Sequence, residues 1–372
     1  MIGRHPRTLP ALFERALAKY ADRPAVRDDD GALTYRELDR RSARLARALA
    51  DLGVGLEDRV GVLLGNRPAG VVVDVAVMRA GGARLPLNPQ LTAADLSYLL
   101  GDAGAETLVC DAERLSTVEA LDVEALGTVI VVGADDDRPL SDLPVECHRY
   151  EALLGADRPG AALPTPDAGD VAGHFYTGGT TGRPKGVRYT HECLVENLLA
   201  HHLEFGFSGS DVGLVATPLS HSGGTFCWAA LLGGGTVVLQ DGFDPETLAA
   251  AVERAGVTWT FLVPTMLYRL LDADAFAAVD HSSLDRVIYG AAPIRTDKLW
   301  EAIQRIGPVF HQFYGQTEVP NLITTFPPRE HARALEADDD DRLASAGTPC
   351  LRATVEVRDR ETGEVLPPGD VG

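Results

Sequence analysis

The sequence predicts an α/β fold, and three observations support this prediction. Short apolar, β-prone stretches alternate with helical patterns along most of the 372 residues. Strands that are separated by helices pair in parallel and carry helices on both faces of their sheet. The composition, with 45% hydrophobic and 24% charged residues, is ordinary for a globular protein, and the length suffices for two or three domains.

The first part of the chain, up to residue 132, shows this alternation. Thr34 and Glu37 have the spacing of a capping box, which predicts a helix with leucines at 38, 45, 49 and 52 on one face. The other predicted elements here are strands at 60–64, 107–110 and 128–132, a helix at 71–78, and a helix from Thr92 to residue 100. Residues 133–170 are rich in Asp, Pro, Gly and Ala, and we predict a solvated crossing between two lobes, a loop with fragments of structure.

The second part resumes the pattern around a glycine-rich loop. Predicted strands lie at 171–176, 187–189, 212–216, 236–240, 257–263, 286–289 and 309–314, and predicted helices at 191–204, 224–232, 265–271 and 296–305. Asp244 followed by Pro245 is typical of a helix N-terminus. Residues 329–345 are acidic and predicted to be mobile, and alternation after Gly347 predicts antiparallel strands. We predict three units: a first lobe with its linker at 1–170, a second lobe at 171–328, and the start of a third unit at 329–372.

The glycine-rich loop is the most informative feature of the chain. It reads YTGGTTGRPKGV from Tyr176 to Val187. Glycines let successive N–H groups point at one spot, threonines add hydroxyl donors, and Lys185 adds a positive charge. The loop fits neither the Walker A pattern nor GxGxxG, and a plain hairpin turn needs only two residues such as Asn-Gly. The loop therefore predicts a polyphosphate site.

Three predicted strands of the second lobe end in a motif: 218–221 (PLSH), 290–293 (GAAP) and 314–318 (YGQTE). Ligands of open α/β sheets bind beyond the carboxyl ends of the strands. The three motifs and the phosphate loop are therefore expected to share one crevice.

The loop and the motif at 314–318 resemble signatures of the adenylate-forming superfamily, which includes acyl-CoA synthetases, adenylation domains of peptide synthetases and luciferase-like enzymes. The stretches LTYREL and RAGGARLPLNP are similar to motifs of the same superfamily. Gly178 stands where the usual loop has Ser or Thr, as it does in many fatty-acyl-CoA ligases. The resemblance implies two mostly parallel sheets layered with helices (αβαβα), followed by the start of a small β-barrel.

The resemblance also implies roles for individual residues. Tyr314 would lie on the adenine, Thr317 would donate to the α-phosphate, and Lys185 would neutralise phosphate charge. The implied catalytic residues are Lys185, Thr317 and Glu318; the phosphate-binding residues are Thr177, Gly178, Gly179, Thr180, Thr181, Gly182 and Lys185; the adenine-binding residues are Gly290, Ala291, Ala292, Pro293, Gln312, Tyr314 and Gly315; the acyl-binding residues are His221, Ser222, Gly223 and Gly224; and the Mg²⁺ ligands are Glu318 and Thr177.

The activity implied by the resemblance is activation of a carboxylic acid by ATP and Mg²⁺, followed by transfer of the acyl group to coenzyme A. No acidic residue occurs from Pro218 to Gln240, where amino-acid adenylation domains usually place an aspartate, and this favours an aliphatic or aromatic acid. Two alternatives stay open: a stand-alone enzyme that loads a carrier protein, and a non-catalytic nucleotide- or acyl-binding protein.

Composition argues against other classes of protein. A formal net charge of −20 disfavours nucleic-acid binding. No apolar run approaches the ~18 residues of a membrane span, and the first residues lack a secretory signal. The five cysteines lack CxxC spacing, which suggests reduced thiols in a cytoplasm. His174, His191 and the pair His201-His202 do not have the spacing of a metal site.

The last residues, GEVLPPGDVG, resemble the segment that precedes the later motifs of the superfamily. The superfamily's ribose-binding aspartate, its hinge and its C-terminal domain with the adenylation lysine have no counterpart in the sequence. We therefore expect a truncated N-terminal part that is poorly active alone. The assembly state is left open, with a homodimer among the alternatives.

Overall fold

A computed structural model describes residues 6–134, 140, 143, 145–155, 162–178 and 182–372. The strands in these residues are β1 (Pro24–Arg27), β2 (Ala32–Thr34), β3 (Arg59–Leu63), β4 (Ala83–Pro86), β5 (Thr107–Asp111), β6 (Thr128–Val132), β7 (Glu146–Arg149), β8 (Val171–Tyr176), β9 (Gly186–Thr190), β10 (Val212–Val215), β11 (Thr236–Leu239), β12 (Trp259–Leu262), β13 (Arg286–Gly290), β14 (Phe310–Gln316), β15 (Val319–Phe326) and β16 (Thr348–Pro349). The helices are α1 (Leu9–Lys19), α2 (Tyr35–Asp51), α3 (Pro68–Arg79), α4 (Ala93–Ala103), α5 (Leu115–Glu119), α6 (Tyr150–Gly155), α7 (His191–Phe205), α8 (Ser222–Gly233), α9 (Pro245–Ala255), α10 (Pro264–Asp272), α11 (Thr296–Ile306), α12 (Pro328–Glu336) and α13 (Asp340–Leu343).

The strands form two sheets. The 7-stranded sheet has the order β7-β6-β5-β3-β4-β8-β9, with parallel pairing throughout except for the antiparallel β8–β9 hairpin. The 9-stranded sheet has the order β16-β15-β14-β13-β12-β10-β11-β1-β2. It is parallel from β14 to β1 and antiparallel at both ends. The predicted α/β fold is therefore confirmed.

Three hydrophobic clusters alternate with the two sheets and give the αβαβα layering. The central cluster joins α1, α2, α3, α7 and α8 to residues of both sheets, such as Val60 and Phe313. A second cluster packs α9, α10 and α11 on the 9-stranded sheet. A third packs α4 and α5 on the 7-stranded sheet. Apolar side chains on both faces of each sheet account for the nearly continuous apolar runs of the parallel strands.

Helix ends follow the local rules that the sequence suggested. At α2 the Thr34 hydroxyl accepts from the Glu37 N–H at 3.2 Å, and the Glu37 carboxylate accepts from the Thr34 N–H at 2.8 Å, so the capping box is formed. Thr92 forms a second box, with Asp95 at its third position. Asp244 caps α9 ahead of Pro245, as predicted.

Sheet membership does not follow the predicted boundary at residue 171. The early strands β1 and β2 join the second sheet beside β11, and β8 and β9 extend the first sheet beside β4. Parallel pairing is set by apolar contacts between distant segments, which short patterns along the chain do not reveal. The division into lobes stays a prediction.

Several local predictions were wrong. The acidic segment at 329–345 was expected to be mobile but forms α12 and α13, because its apolar face, with Ala334 and Leu343, is buried on the second cluster. Glu330 also pairs with Arg333 at 2.7 Å and with Arg342. The strands expected after Gly347 are reduced to β16 and one antiparallel bridge between Arg358 and Val365. The crossing at 133–170, in contrast, contains the short elements β7 and α6 in its described part, which agrees with the predicted fragments of structure. No helix of the described residues combines the length and apolar character needed to cross a lipid bilayer.

Candidate functional site

A cavity of about 830 Å³ lies between the two sheets. Its walls come from strands of both sheets, from the segments that follow β4, β8, β10, β12, β13 and β14, and from helices α4 and α7. The lining residues are Pro86, Asn88, Leu91, Leu99, Phe175, Tyr176, Thr177, Gly178, Pro184, Tyr189, Leu194, Thr217, Pro218, Ser220, His221, Ser222, Gly223, Thr225, Phe261, Val263, Met266, Ala291, Phe313, Gly315, Gln316, Thr317, Glu318, Pro320 and Asn321. Members of the glycine-rich loop and of all three strand-end motifs are among them, so the expected shared crevice exists.

The glycine-rich loop connects β8 to β9 and is closed at its neck. The Thr177 N–H donates to the Lys185 carbonyl at 3.0 Å, and the Lys185 N–H donates to the Thr177 hydroxyl at 3.2 Å. Helix α4 holds the far side, where the Tyr98 hydroxyl donates to the Pro184 carbonyl at 3.0 Å. Thr177, Gly178 and Pro184 line the cavity.

The other loop residues are placed differently. Gly182 and Lys185 are exposed and do not line the cavity. Within the described part of the chain, the Lys185 ammonium has no hydrogen-bond or ion-pair partner, so it is free to meet an anion. The predicted phosphate ligands Gly179, Thr180 and Thr181 lie outside the described residues.

The motif at 314–318 forms the turn of the β14–β15 hairpin. A side chain at Gly315 would place its Cβ 2.3 Å from the carbonyl group of Asn321, so only glycine allows the two strands to approach this closely. The Tyr189 hydroxyl of β9 donates to the Thr317 carbonyl and ties the turn to the first sheet. Thr317 and Glu318 line the cavity, whereas Tyr314 is 43% exposed and does not.

The predicted acyl wall runs from the end of β10 into α8 and is held from behind. The Asn66 amide donates to the Thr217 carbonyl at 2.9 Å and accepts from the Leu219 N–H at 2.9 Å. Arg84 donates to the Leu219 carbonyl at 3.0 Å. A Cβ on Gly224 would lie 2.1 Å from that carbonyl oxygen, which explains a glycine there. Gly224 itself does not line the cavity, but Gly223 does.

His221 and Ser222 stand at the cavity side of this wall. The Asn88 amide nitrogen lies 3.5 Å from His221 Nε2. Desolvation in the cavity wall, and secondarily the positive charge of Arg84, lower the pKa of His221 below its usual value. The imidazole is therefore mainly neutral at neutral pH.

The buried ion pair behind this wall joins α3 to β4. Arg84 pairs with Asp74, and both residues are buried. The Trp228 indole N–H donates to the same carboxylate at 3.1 Å, and the Arg84 guanidinium lies 5.3 Å from the Trp228 ring. The network connects the core to the backbone of the acyl wall.

The predicted adenine-binding residues do not all reach the cavity. Ala291 lines it with a left-handed backbone (φ 65°), and Gly315 lines it at the hairpin turn. Gly290 is buried at the end of β13, and Ala292 and Pro293 are exposed beside it, but none of the three lines the cavity. Gln312 is buried and accepts from the Tyr289 hydroxyl at 3.5 Å. These placements leave their roles as predictions.

The cavity has few charges. Among its described lining residues, Glu318 is the sole acidic one and none is Lys or Arg. The apolar part is formed by Leu91, Leu99, Phe175, Leu194, Phe261, Val263, Met266 and Phe313. In the described residues, no group of three or more His, Cys, Asp or Glu side chains could hold a metal ion. Glu318 and Thr177 nevertheless offer two oxygen ligands to one space, which fits Mg²⁺ completed by phosphate and water.

Sequence reasoning missed several polar residues at the site. Asn66 follows the buried strand β3, and the same strand-end signal that identified the other motifs could have found it. Asn88 follows β4 in the same way. Asn321 lies three positions after Glu318, in a strand that was not predicted. The Asp74–Arg84 pair gave no sequence signal, because its members lie on different elements.

The chain is similar to known proteins along nearly its whole length. The family model described as "AMP-binding enzyme" matches residues 13–372. The medium/long-chain-fatty-acid–CoA ligase FadD8 of Mycobacterium tuberculosis is 35% identical over 370 residues, which are 97% of this chain and 62% of that protein. A feruloyl-CoA synthase of Streptomyces sp. is 36% identical over 357 residues, 94% of this chain and 65% of that protein.

One solved structure adds a bound nucleotide to this comparison. ATP-bound MatB from Rhodopseudomonas palustris is 28% identical, with a TM-score of 0.78 over 96% of this chain and 68% of that one. The chain spans 62% and 65% of the lengths of the two relatives above, which is less than two thirds of each.

Proposed function

Because the chain belongs to the family of AMP-binding enzymes, we propose that it activates a carboxylic acid with ATP and passes the acyl group to coenzyme A. Family membership agrees with the resemblance inferred from the sequence. One observation carries the proposal: residues of the glycine-rich loop, the 314–318 turn and the 218–224 wall line a single cavity of about 830 Å³. A nucleotide and an acid bound there would be neighbours, as a reaction between them requires.

The nucleotide side of the cavity is assigned to the loop and the hairpin turn. Thr177 and Gly178 would contact the β- and γ-phosphates. The Lys185 ammonium, which has no partner among the described residues, would turn toward them. Thr317 would donate its hydroxyl to the α-phosphate. Glu318 and Thr177 would hold Mg²⁺, which when bound neutralises phosphate charge. Binding of ATP by MatB supports a nucleotide in this fold.

The first half-reaction follows from the charges of its partners. A carboxylate oxygen attacks the α-phosphorus of ATP, the bond from that phosphorus to the bridging oxygen breaks, and pyrophosphate leaves. The acid is already ionised at pH 7, so no general base is required. Both partners are anionic, and Lys185 and the loop N–H groups would reduce their repulsion and align them. In the second half-reaction the thiolate of coenzyme A attacks the acyl carbon and AMP leaves.

The substrate class follows from the lining of the cavity. Burial of apolar surface contributes roughly 25 cal/mol per Å², so aliphatic and aromatic side chains on the walls favour an apolar acid. A substrate with a second carboxylate would find no Lys or Arg to pair with among the described lining residues. Glu318 is the sole acidic residue among the described lining residues, so the α-ammonium group of an amino-acid substrate would have no carboxylate partner near the acyl wall. We therefore propose a monocarboxylic fatty or aromatic acid.

The test is ATP–pyrophosphate exchange and acyl-CoA formation by the full-length protein with a panel of fatty and aromatic acids. Lys185→Ala should lower the exchange rate about 100-fold, the usual effect of removing one preorganised charge-stabilising donor. Lys298→Ala is the matched control, because that ammonium is already held by Asp272 at 3.2 Å and Glu301 at 3.0 Å. The proposal fails if no acid supports exchange, and the assignment of Lys185 fails if both variants behave alike.

A further inference from the structure

A chain of hydrogen bonds connects helix α7 to the cavity through Asn321. The His201 Nδ1 atom lies 2.8 Å from the Asn197 carbonyl oxygen, one turn earlier in α7. The amide nitrogen of Asn321 lies 3.1 Å from His201 Nε2. The Ser222 hydroxyl lies 2.5 Å from the amide oxygen of Asn321. Both Ser222 and Asn321 line the cavity.

The direction of every bond in this chain is fixed by its buried end. A carbonyl oxygen only accepts, so the proton of His201 is on Nδ1. His201 is fully buried, and burial lowers its pKa to about 4, so the ring is neutral and Nε2 carries a lone pair. Nε2 therefore accepts from the Asn321 amide, which turns the amide oxygen toward Ser222. The Ser222 hydroxyl must then donate to Asn321.

The backbone at Asn321 supports the same arrangement. Asn321 is left-handed (φ 59°), a conformation that Asn tolerates better than most side chains other than Gly. The Asn197 amide of α7 donates to the carbonyl of the preceding residue, Pro320. The segment that carries the side chain is thus held on two sides.

We propose that Asn321 is a specificity-determining residue. Because the Ser222 hydroxyl donates its hydrogen bond to Asn321, the lone pairs of the Ser222 oxygen are left to accept a hydrogen bond from the cavity. The acid pocket then selects a substrate with a hydrogen-bond donor, such as a hydroxyl, opposite Ser222 over one with an acceptor there. A purely acceptor group would face oxygen lone pairs and lose its own hydration. This inference rests on the proposed function and names the class of acid, a hydroxylated monocarboxylic acid.

The test compares donors with acceptors on one scaffold by pyrophosphate exchange. The probes are 3-phenylpropanoic acid, its three ring-hydroxy isomers and its three ring-methoxy isomers, so that every ring position is sampled. At one ring position, the hydroxy acid should exceed its methoxy counterpart in kcat/KM by about 10-fold, the value of one neutral hydrogen bond. In Asn321→Gly, which keeps the left-handed backbone, that ratio should fall about fivefold or more. Ser222→Ala should lower the hydroxy-to-methoxy ratio by the same factor. The double variant Asn321→Gly with Ser222→Ala should lower the ratio no further, because the two residues act as one unit.

The outcomes separate the two proposals. A hydroxy-to-methoxy ratio that is unchanged by Asn321→Gly at every ring position overturns the inference while leaving acid activation intact. A ratio that changes in Asn321→Gly but not in Ser222→Ala also overturns it, because Ser222 would not be the contact. Failure of the native full-length protein to exchange with these acids and with the fatty acids of the panel overturns the proposed function and this inference together. Thermal unfolding of each variant identifies a loss that comes from misfolding.

Discussion

Replacing Asp74 by Asn is expected to destabilise the fold strongly. The carboxylate is 1% exposed and is the counter-ion of Arg84, which is 3% exposed. Asn has nearly the same shape, but its amide has one accepting oxygen where the carboxylate accepts from both Arg84 and Trp228, so the substitution removes the charge and one of these hydrogen bonds. A guanidinium left without its counter-ion in the interior costs about 3–5 kcal/mol. The free energy of unfolding should therefore fall by that amount.

The assay is urea unfolding followed by fluorescence and circular dichroism, with the free energy taken from the midpoint and slope. Asp29→Asn is the matched control, since Asp29 pairs with Arg254 at 2.9 Å but the two side chains are 83% and 62% exposed. Exposed pairs contribute about 0–1 kcal/mol, so the control should be nearly neutral. The two variants have the same change of charge, and their difference isolates burial.

Asp74→Asn also has a functional consequence. Arg84 donates to the Leu219 carbonyl, two residues before His221, and an uncompensated guanidinium would turn away from it toward water. The KM for the acid should therefore rise more than the KM for ATP. A variant whose unfolding free energy lies within about 1 kcal/mol of the native value would refute this account of the pair.

Two other perturbations address stability and the hairpin turn. Burial lowers the pKa of His191, His201 and His331 to about 4, below the unfolded value near 6.5, so their stabilisation is present above pH 6.5 and is lost as the pH falls toward 4. Urea unfolding measured from pH 7.5 to 4.5 should show this loss of unfolding free energy, up to about 3 kcal/mol per histidine. In His331→Gln the loss should be smaller by the contribution of His331. If the variant showed the same pH dependence as the native protein, the lowered pKa of His331 would be contradicted. Gly315→Ala should lower exchange activity at least 10-fold, because its Cβ would lie 2.3 Å from the Asn321 carbonyl. Gly101→Ala, inside α4, is the control. Its Cβ would meet no atom within 4 Å, so the substitution should raise the unfolding free energy by about 0.5–1 kcal/mol. If Gly315→Ala and Gly101→Ala had the same exchange activity and stability, the close approach at Gly315 would not explain the effect.

The sequence predicted what depends on neighbouring residues. Thr34, Thr92 and Asp244 cap helices because a cap is a contact within four residues. The motifs that end β10, β13 and β14 meet at one cavity because parallel strands bring their carboxyl ends to one edge. Residues such as Thr177, His221 and Glu318 could thus be placed at the site from the sequence alone.

What failed depends on contacts between distant parts of the chain. The burial of Gln312 beside Tyr289 was not visible in the sequence, and its assignment to adenine stays a prediction. The acidic segment is helical because Ala334 and Leu343 pack on the core beneath the second sheet, a contact that the local sequence does not reveal. Asn321 was overlooked because its role depends on His201, 120 positions away along the chain. Such partners are fixed only when the sheets assemble.

The placement of β1 in the second sheet has a consequence for synthesis of the chain on the ribosome. Val26 pairs with Val237, about 210 residues later, and translation at about 5–20 residues per second separates the two by about 10–40 s. During that interval Ala25 and Val26, which are fully buried in the folded protein, have the adjacent strand β2 as a partner but lack β11 on their other side. The β1–β2 pair can therefore join the rest of the second sheet only after β11 has left the ribosome. The second sheet closes late, and the protein is most exposed to aggregation before it does.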